Sequence, residues 1–325
     1  TKSISIINIE RVIEMGIGAR IESSKNEKLR EESKNIQYEV ILPKYSLSDI
    51  TIPANTEASI ADFLAYKKHE QLIFKEWGLE HTHHHQKQTA INLYGESGTG
   101  KTMAAHAIAK ELKQPLIIVD YASLESKYVG ETSKNITEIF RQAKEQQAIL
   151  FFDEADAILS RRVTNMSHAT DVSVNQTRSV LLTLMNDHQG LIIFTTNFIE
   201  NYDPAFMRRI LVHIHFELPD EVCREKLWQQ YIPMTLPHQV DIQILAERSK
   251  TLSGSDISNC VLKAAMSAAR QGNQSLTMNH FQQAIDEVMK SKKANCKSET
   301  QIEKRTVRED YVKSQIGETK MQELK

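Results

Sequence analysis

The 325-residue sequence has 40 lysines and arginines against 42 aspartates and glutamates, a formal net charge of −2, which argues against a protein that coats nucleic acid or an anionic membrane through bulk charge. Its longest apolar run, Ala148 to Phe152, is far shorter than the roughly 20 residues that span a bilayer. With three widely spaced cysteines and no apolar leader, the composition predicts a cytoplasmic protein with free thiols and no membrane span.

Short apolar segments alternate with longer helical patterns through the middle of the chain. Five runs rich in Ile, Val and Phe are predicted to be buried strands: Ala90–Tyr94, Leu116–Asp120, Ile149–Asp153, Ile192–Thr196 and Ile210–Phe216. Three helices are predicted between them, at Thr102–Leu112, Thr132–Gln146 and Val172–Asp187. This alternation is typical of a doubly wound α/β domain, with a mainly parallel sheet and helices on both faces.

Beyond Pro219 the strand pattern stops, and only helices are predicted. They cover Asp220 to about Tyr231, Val240–Ser249, Ser255–Gln271 and a last segment with an apolar face of Phe281, Ala284, Ile285, Val288 and Met289. We therefore expect a small α-helical domain after the α/β domain. The predicted regions are an N-terminal arm or small adaptor (1–44), the α/β domain (45–218), the helical domain (219–290) and a charged tail (291–325).

A glycine-rich sequence joins the first predicted strand to the first predicted helix. It has the pattern G-x-x-x-x-G-K-T, in which glycines let backbone N–H groups turn inward around phosphates at a helix N-terminus. Its lysine is expected to reach the β- and γ-phosphates, and its threonine hydroxyl to bind Mg²⁺. The predicted nucleotide-binding residues of this segment are Gly95, Glu96, Ser97, Gly98, Thr99, Gly100, Lys101, Thr102 and Met103.

Two carboxylates, Asp153 and Glu154, follow the third predicted strand. The carboxyl ends of parallel strands form the edge where α/β proteins bind ligands. Asp153 is expected to hold Mg²⁺ through water, and Glu154 to orient and deprotonate the attacking water. An Asp-Glu pair in place of D-x-x-G, and the lack of an N-K-x-D motif, favour ATP over GTP.

Polar residues near the next strand end complete the predicted site. Asn197 ends the fourth predicted strand and would emerge at the same sheet edge. Arg208 and Arg209 follow within a dozen residues. Two adjacent arginines are usually solvated charge, but they could also neutralise the γ-phosphate bound to a neighbouring subunit.

Together these motifs make residues from about 45 to 290 resemble an AAA-family ATPase module of the stand-alone bacterial type. Walker A, Walker B, sensor 1 and arginine fingers occur in the family's order. The resemblance implies that Asn197 is sensor 1 and that Arg208 is the first finger. The family's second finger usually lies three residues further on, where this chain has Leu211, so the adjacent Arg209 is the remaining candidate.

The resemblance also implies a fold and a lid. With the five predicted strands counted in chain order, the sheet order would be 5-1-4-3-2. Ser253 to Ile257 resembles the lid motif of AAA protein remodellers, which adds Gly254 and Ser255 to the predicted nucleotide contacts. Clamp loaders and initiators carry a sensor-2 arginine instead, so its absence argues against a DNA-loading role.

The segment Ser126 to Glu131 resembles the aromatic pore loop with which ring-shaped AAA unfoldases grip polypeptide, Tyr128 and Val129 being its central residues. A wide aromatic face on a short backbone suits a non-specific grip. The resemblance implies a homo-oligomeric ring, a hexamer, that couples ATP hydrolysis to remodelling or threading of a protein substrate or adaptor-bound protein. Two alternatives stay open: a nucleic-acid-directed or clamp-loader-like ATPase, and a nucleotide-gated assembly switch that threads nothing.

Overall fold

The computed structural model of the chain describes residues 38–83, 89–120, 131–160, 169–197 and 202–296. These residues belong to two compact units. The first contains the residues up to Leu227 together with Ser253–Ser255, and the second contains Trp228–Leu252 and the residues from Asp256 onward. In the described ranges no helix has the length and apolar character that crossing a membrane requires.

The first unit alternates strands with helices. Its strands are β1 (Val40–Ile41), β2 (Thr89–Gly95), β3 (Leu116–Asp120), β4 (Ile149–Asp153), β5 (Leu191–Thr196) and β6 (Val212–Phe216). Its helices are α1 (Ala54–Lys68), α2 (Lys101–Glu111), α3 (Glu131–Glu145), α4 (Asp156–Leu159), α5 (Ala169–Asp187) and α6 (Pro204–Met207), and α7 (Glu221–Tyr231) begins in it. The α/β class predicted from the alternating pattern is confirmed.

The six strands form one sheet in the order β1-β3-β4-β5-β2-β6. Strands β2 to β6 pair in parallel, and among these five the order is the 5-1-4-3-2 that the family resemblance implies. Strand β1 was not expected. It pairs antiparallel with β3, with Val40 opposite Ile117. A two-residue strand is too short to show an alternating pattern, and it lies in the segment that is predicted to be an N-terminal arm or small adaptor.

The sheet is buried on both faces, and alternate residues of its strands contribute to two separate cores. Phe152 and Phe194 lie in the core that contains residues of α3 and α5. Phe151 and Ile193 lie in the opposite core, which contains residues of α1 and α2. Every residue of β5 is buried, as expected for an inner strand of a covered parallel sheet. This burial explains why the strands are continuous apolar runs.

The second unit contains α8 (Ile242–Arg248), most of α9 (Gly254–Arg270) and the described part of α10 (Met278–Cys296). The indole N–H of its fully buried Trp228 donates to the Ser249 hydroxyl at 3.0 Å. The predicted helical character is confirmed, but the prediction of helices alone is wrong. Strands β7 (His238–Gln239) and β8 (Leu276–Thr277) pair in parallel. A strand of two residues is too short to interrupt the helical pattern of the sequence.

Candidate functional site

The loop between β2 and α2 comes too close to neighbouring backbone and side chains for ordinary residues at its glycines. A Cβ at Gly95 would lie 2.1 Å from the carbonyl oxygen of Phe216 on β6. Gly98 has φ +77°, and a Cβ there would lie 2.7 Å from Ser253 Oγ and 2.8 Å from Ser255 Cβ. Only glycine fits such close approaches, and a positive φ favours it further. The loop therefore places closely packed backbone at the N-terminus of α2. Backbone N–H groups in such a position form a site suited to phosphate.

Lys101 is the first residue of α2 and is only 8% exposed. Its ammonium group donates to the carbonyl oxygens of Gly95 and Glu96, each at 2.8 Å, and to Asn197 Oδ1 at 3.0 Å. Burial lowers the pKa of Lys101, and the nearby carboxylates, Asp153 first, partly offset that effect. Phosphate oxygens would supply the negative charge that favours the ammonium form. The structure thus brings together the predicted lysine and the predicted sensor asparagine.

The two predicted Mg²⁺ ligands are also adjacent. The Thr102 hydroxyl donates to Asp153 Oδ2 at 3.1 Å. Both are oxygen donors of the kind that Mg²⁺ prefers, and neighbouring ligands of an octahedral Mg²⁺ lie about 3 Å apart when each bond is about 2.1 Å. The residues present therefore fit Mg²⁺. The Thr195 hydroxyl donates to the other carboxylate oxygen, Asp153 Oδ1, and so orients the carboxyl group.

Glu154 follows β4 with an exposed side chain and an unusual backbone. Its φ of +50° lies in the left-handed region, which costs a residue with a side chain roughly 1–2 kcal/mol. Its backbone N–H donates to the Thr195 hydroxyl at 3.1 Å. Strained backbone of this kind occurs at functional sites where surrounding contacts hold it. Thr195 therefore fixes both the carboxylate of Asp153 and the turn that presents Glu154.

The two predicted finger arginines lie in different environments. Arg209 is half-buried, and its guanidinium donates to Asn186 Oδ1 at 2.7 Å and to the carbonyl oxygen of Ala205 at 2.8 Å. Arg208 is exposed, and its side chain forms no hydrogen bond or ion pair with another described residue. Arg209 is therefore held by its own chain, whereas Arg208 is exposed without such bonds among the described residues.

The remaining predicted contacts surround the loop. The backbone N–H of Ser255 donates to the carbonyl oxygen of Gly98 at 3.2 Å, and a Cβ at Gly254 would lie 3.4 Å from that same oxygen. The Thr99 hydroxyl donates to the Glu96 carbonyl oxygen at 2.8 Å. Ser97 is exposed, Gly100 precedes α2, and Met103 is half-buried on its first turn. Tyr128 and Val129, the predicted pore loop, lie outside the described residues.

The sequence pattern assigns no role to three side chains that contribute to this edge. Thr195 bonds Asp153 and Glu154, while Thr196 and Asp156 bond each other. Both threonines are only 1% exposed. Two consecutive threonines at the end of an otherwise apolar strand were the available signal, since buried hydroxyls require partners.

Comparison with known families identifies this architecture. Residues 91–218 match the model of the ATPase family associated with various cellular activities (AAA), and residues 239–283 match the AAA+ lid domain. The chain belongs to the AAA family. The first match contains the glycine-rich loop, the carboxylates and the arginines, and the second covers most of the small helical unit.

Similarity to individual proteins supports the same family assignment for this AAA protein. The chain is 35% identical over 210 residues to the proteasome-activating nucleotidase of Methanopyrus kandleri, covering 62% of this chain and 48% of that protein. It is 32% identical over 220 residues to the probable 26S proteasome regulatory subunit 4 of Caenorhabditis elegans, covering 64% and 49%. It is 32% identical over 207 residues to the ATP-dependent zinc metalloprotease FtsH of Syntrophotalea carbinolica, covering 61% and 32%. The chain spans about half, or less, of the length of these relatives.

The position of Lys101 predicts the effect of removing it from the AAA module. Lys101→Ala should weaken ATP binding by about 10- to 150-fold, because a hydrogen bond to a charged group is worth about 1.5–3 kcal/mol. Titration with a fluorescent ATP analogue measures the dissociation constant. Lys110→Ala, at the exposed end of the same helix, is the matched control and should bind as tightly as the wild type. An unchanged dissociation constant for Lys101→Ala would contradict the phosphate-site assignment.

Proposed function

We propose that this AAA protein hydrolyses ATP at the subunit junctions of a hexameric ring and uses the energy to remodel or thread a protein substrate in the cytoplasm. One observation carries the proposal: at the carboxyl edge of the sheet Lys101 donates to Asn197 and Thr102 donates to Asp153, and Glu154 follows Asp153. This is the set of groups that phosphoryl transfer needs.

Each group has a separate task in hydrolysis. The loop N–H groups and Lys101 hold the phosphates, and Asn197 contacts the γ-phosphate. Glu154, on its fixed turn, orients the attacking water and accepts its proton. Thr102 and Asp153 would hold Mg²⁺, which when bound neutralises developing phosphate charge. Because phosphoryl transfer requires little covalent chemistry from the protein, positioning and charge account for the rate.

The ring is supported by the exposure of Arg208. A guanidinium that reaches into a neighbouring site adds positive charge where the transition state is negative. Arg208 has that freedom, whereas Arg209 donates to Asn186 and Ala205 of its own chain. We therefore assign the neighbouring-site role to Arg208 and propose that Arg209 holds α6 in place.

The protein substrate is supported by the relatives and by the lid motif. The relatives' names describe a nucleotidase that activates the proteasome and an ATP-dependent zinc metalloprotease. Ser253–Ser255 contact the phosphate loop at Gly98, where a lid motif of protein remodellers would act. Both observations favour polypeptide over nucleic acid as the substrate.

Replacing Tyr128 tests the threading proposal. Tyr128→Ala removes a wide apolar surface without removing a phosphate or metal ligand, so basal ATP hydrolysis should stay within about threefold of wild type while unfolding of a tagged fluorescent protein largely fails. Tyr128→Phe keeps the ring and is the matched control, expected to unfold substrate nearly as well as wild type. Equal unfolding by Tyr128→Ala and the wild type would contradict threading and favour the nucleotide-gated switch.

A further inference from the structure

Asp156 contacts the backbone of Asn197, the residue proposed to contact the γ-phosphate. It is the first residue of α4, three positions after Asp153. One carboxylate oxygen accepts a hydrogen bond from the Thr196 hydroxyl, and the other accepts from the backbone N–H of Asn197 at 3.4 Å. The side chain of Asn197 in turn accepts from Lys101 at 3.0 Å. A single carboxylate therefore holds the backbone that aims the sensor side chain.

The residues around Asp156 are polar, whereas most residues of the neighbouring strands are apolar. Asn92 on β2 is fully buried, and Tyr202 is 4% exposed. The Tyr202 hydroxyl interacts with the side chains of Thr196 and Asn92. Burial raises the pKa of Tyr202 strongly, the interactions with Thr196 and Asn92 offset part of that rise, and the nearby charge of Asp156 adds to it, so the phenol stays protonated. Buried polar groups cost stability unless they are satisfied, which indicates a retained polar network.

Helix α4 is anchored at its other end as well. The Arg178 guanidinium donates to the carbonyl oxygen of Ile158 at 3.0 Å and also to the Ser160 hydroxyl. The backbone N–H of Asp203 donates to the Leu159 carbonyl oxygen at 2.8 Å. Because both ends of this four-residue helix are bonded, Asp156 can fix the position of what it contacts rather than follow it.

We infer that Asp156 is a positioning residue for hydrolysis, which through Thr196 and the Asn197 backbone holds the Asn197 side chain at the distance from Lys101 that the γ-phosphate requires. This inference rests on the proposed ATPase function and deepens it. Asp156 does not touch the nucleotide in this assignment, so its removal should slow the chemical step more than it weakens binding.

Thr196 offers a matched pair of variants. Thr196→Val keeps the shape and removes the hydroxyl that donates to Asp156, whereas Thr196→Ser keeps the hydroxyl. We expect Thr196→Val to lower kcat by about 10- to 100-fold, the effect of small misplacements near reacting groups. Its KM for ATP and its affinity for a fluorescent ATP analogue should stay within about threefold of wild type. Thr196→Ser should hydrolyse ATP at close to the wild-type rate.

A second variant keeps the test decisive if Thr196→Val is unstable. Asp156→Asn has almost the same volume but a single acceptor oxygen, so it cannot accept from Thr196 at one oxygen and from Asn197 at the other, and its kcat should fall similarly. Wild-type kcat in either folded variant, or equal losses in Thr196→Val and Thr196→Ser, would overturn the inference alone. A wild-type protein that hydrolyses no ATP would overturn the proposed function as well.

Discussion

Glu154→Gln is expected to bind ATP almost as tightly as the wild type and to hydrolyse it about 10²- to 10⁴-fold more slowly, the contribution typical of a positioned general base. The amide has nearly the same shape as the carboxylate but cannot accept the proton of the attacking water. Lys101 and Asp153 remain in place, so the phosphate and metal contacts are unchanged. The effect should therefore appear in kcat.

Single-turnover hydrolysis of ATP, measured beside the dissociation constant of a fluorescent ATP analogue, separates these two quantities. Glu111→Gln, an exposed glutamate at the end of α2, makes the same chemical change away from the site and is the matched control. A turnover rate for Glu154→Gln within a few-fold of wild type would remove Glu154 from the role of general base.

Arg208→Ala should lower kcat by about 10³- to 10⁵-fold, the range for arginines that neutralise a transferring phosphoryl group. The neighbouring Arg209→Ala is an informative comparison, because Arg209 donates to Asn186 and Ala205 of its own chain. Its loss should lower the melting temperature and affect kcat much less. Equal losses of kcat in both variants, with equal stability, would contradict the division of roles between the two arginines.

The parts of the fold that the sequence predicts best are those with a dense local pattern. β3 and β4 have the predicted bounds, because each is a continuous apolar run that ends in an aspartate. The glycine-rich loop was identifiable because its glycines, lysine and threonine fall within eight successive residues, from Gly95 to Thr102. By contrast, β1, β7 and β8 are two residues each and leave no periodic pattern.

The contacts that organise the site were less accessible to sequence reasoning. Asp156 and Thr196 are 40 positions apart, and only the parallel pairing of β4 with β5 brings them together. Arg209 differs from Arg208 because it donates a hydrogen bond to Asn186, at the end of α5. Two neighbouring arginines in the sequence give no sign of this distant contact. Local motifs thus predict which groups a site contains, while the sheet order determines which of them touch.

The central claim is that hydrolysis needs residues of two subunits, and mixing two inactive variants tests it most directly. In a ring of Glu154→Gln and Arg208→Ala subunits, some junctions combine the intact Glu154 of one subunit with the intact Arg208 of its neighbour. Each variant alone should be nearly inactive, and the mixture should regain ATPase activity that depends on the mixing ratio. An active Arg208→Ala protein, or a mixture with no more activity than its components, would contradict shared sites.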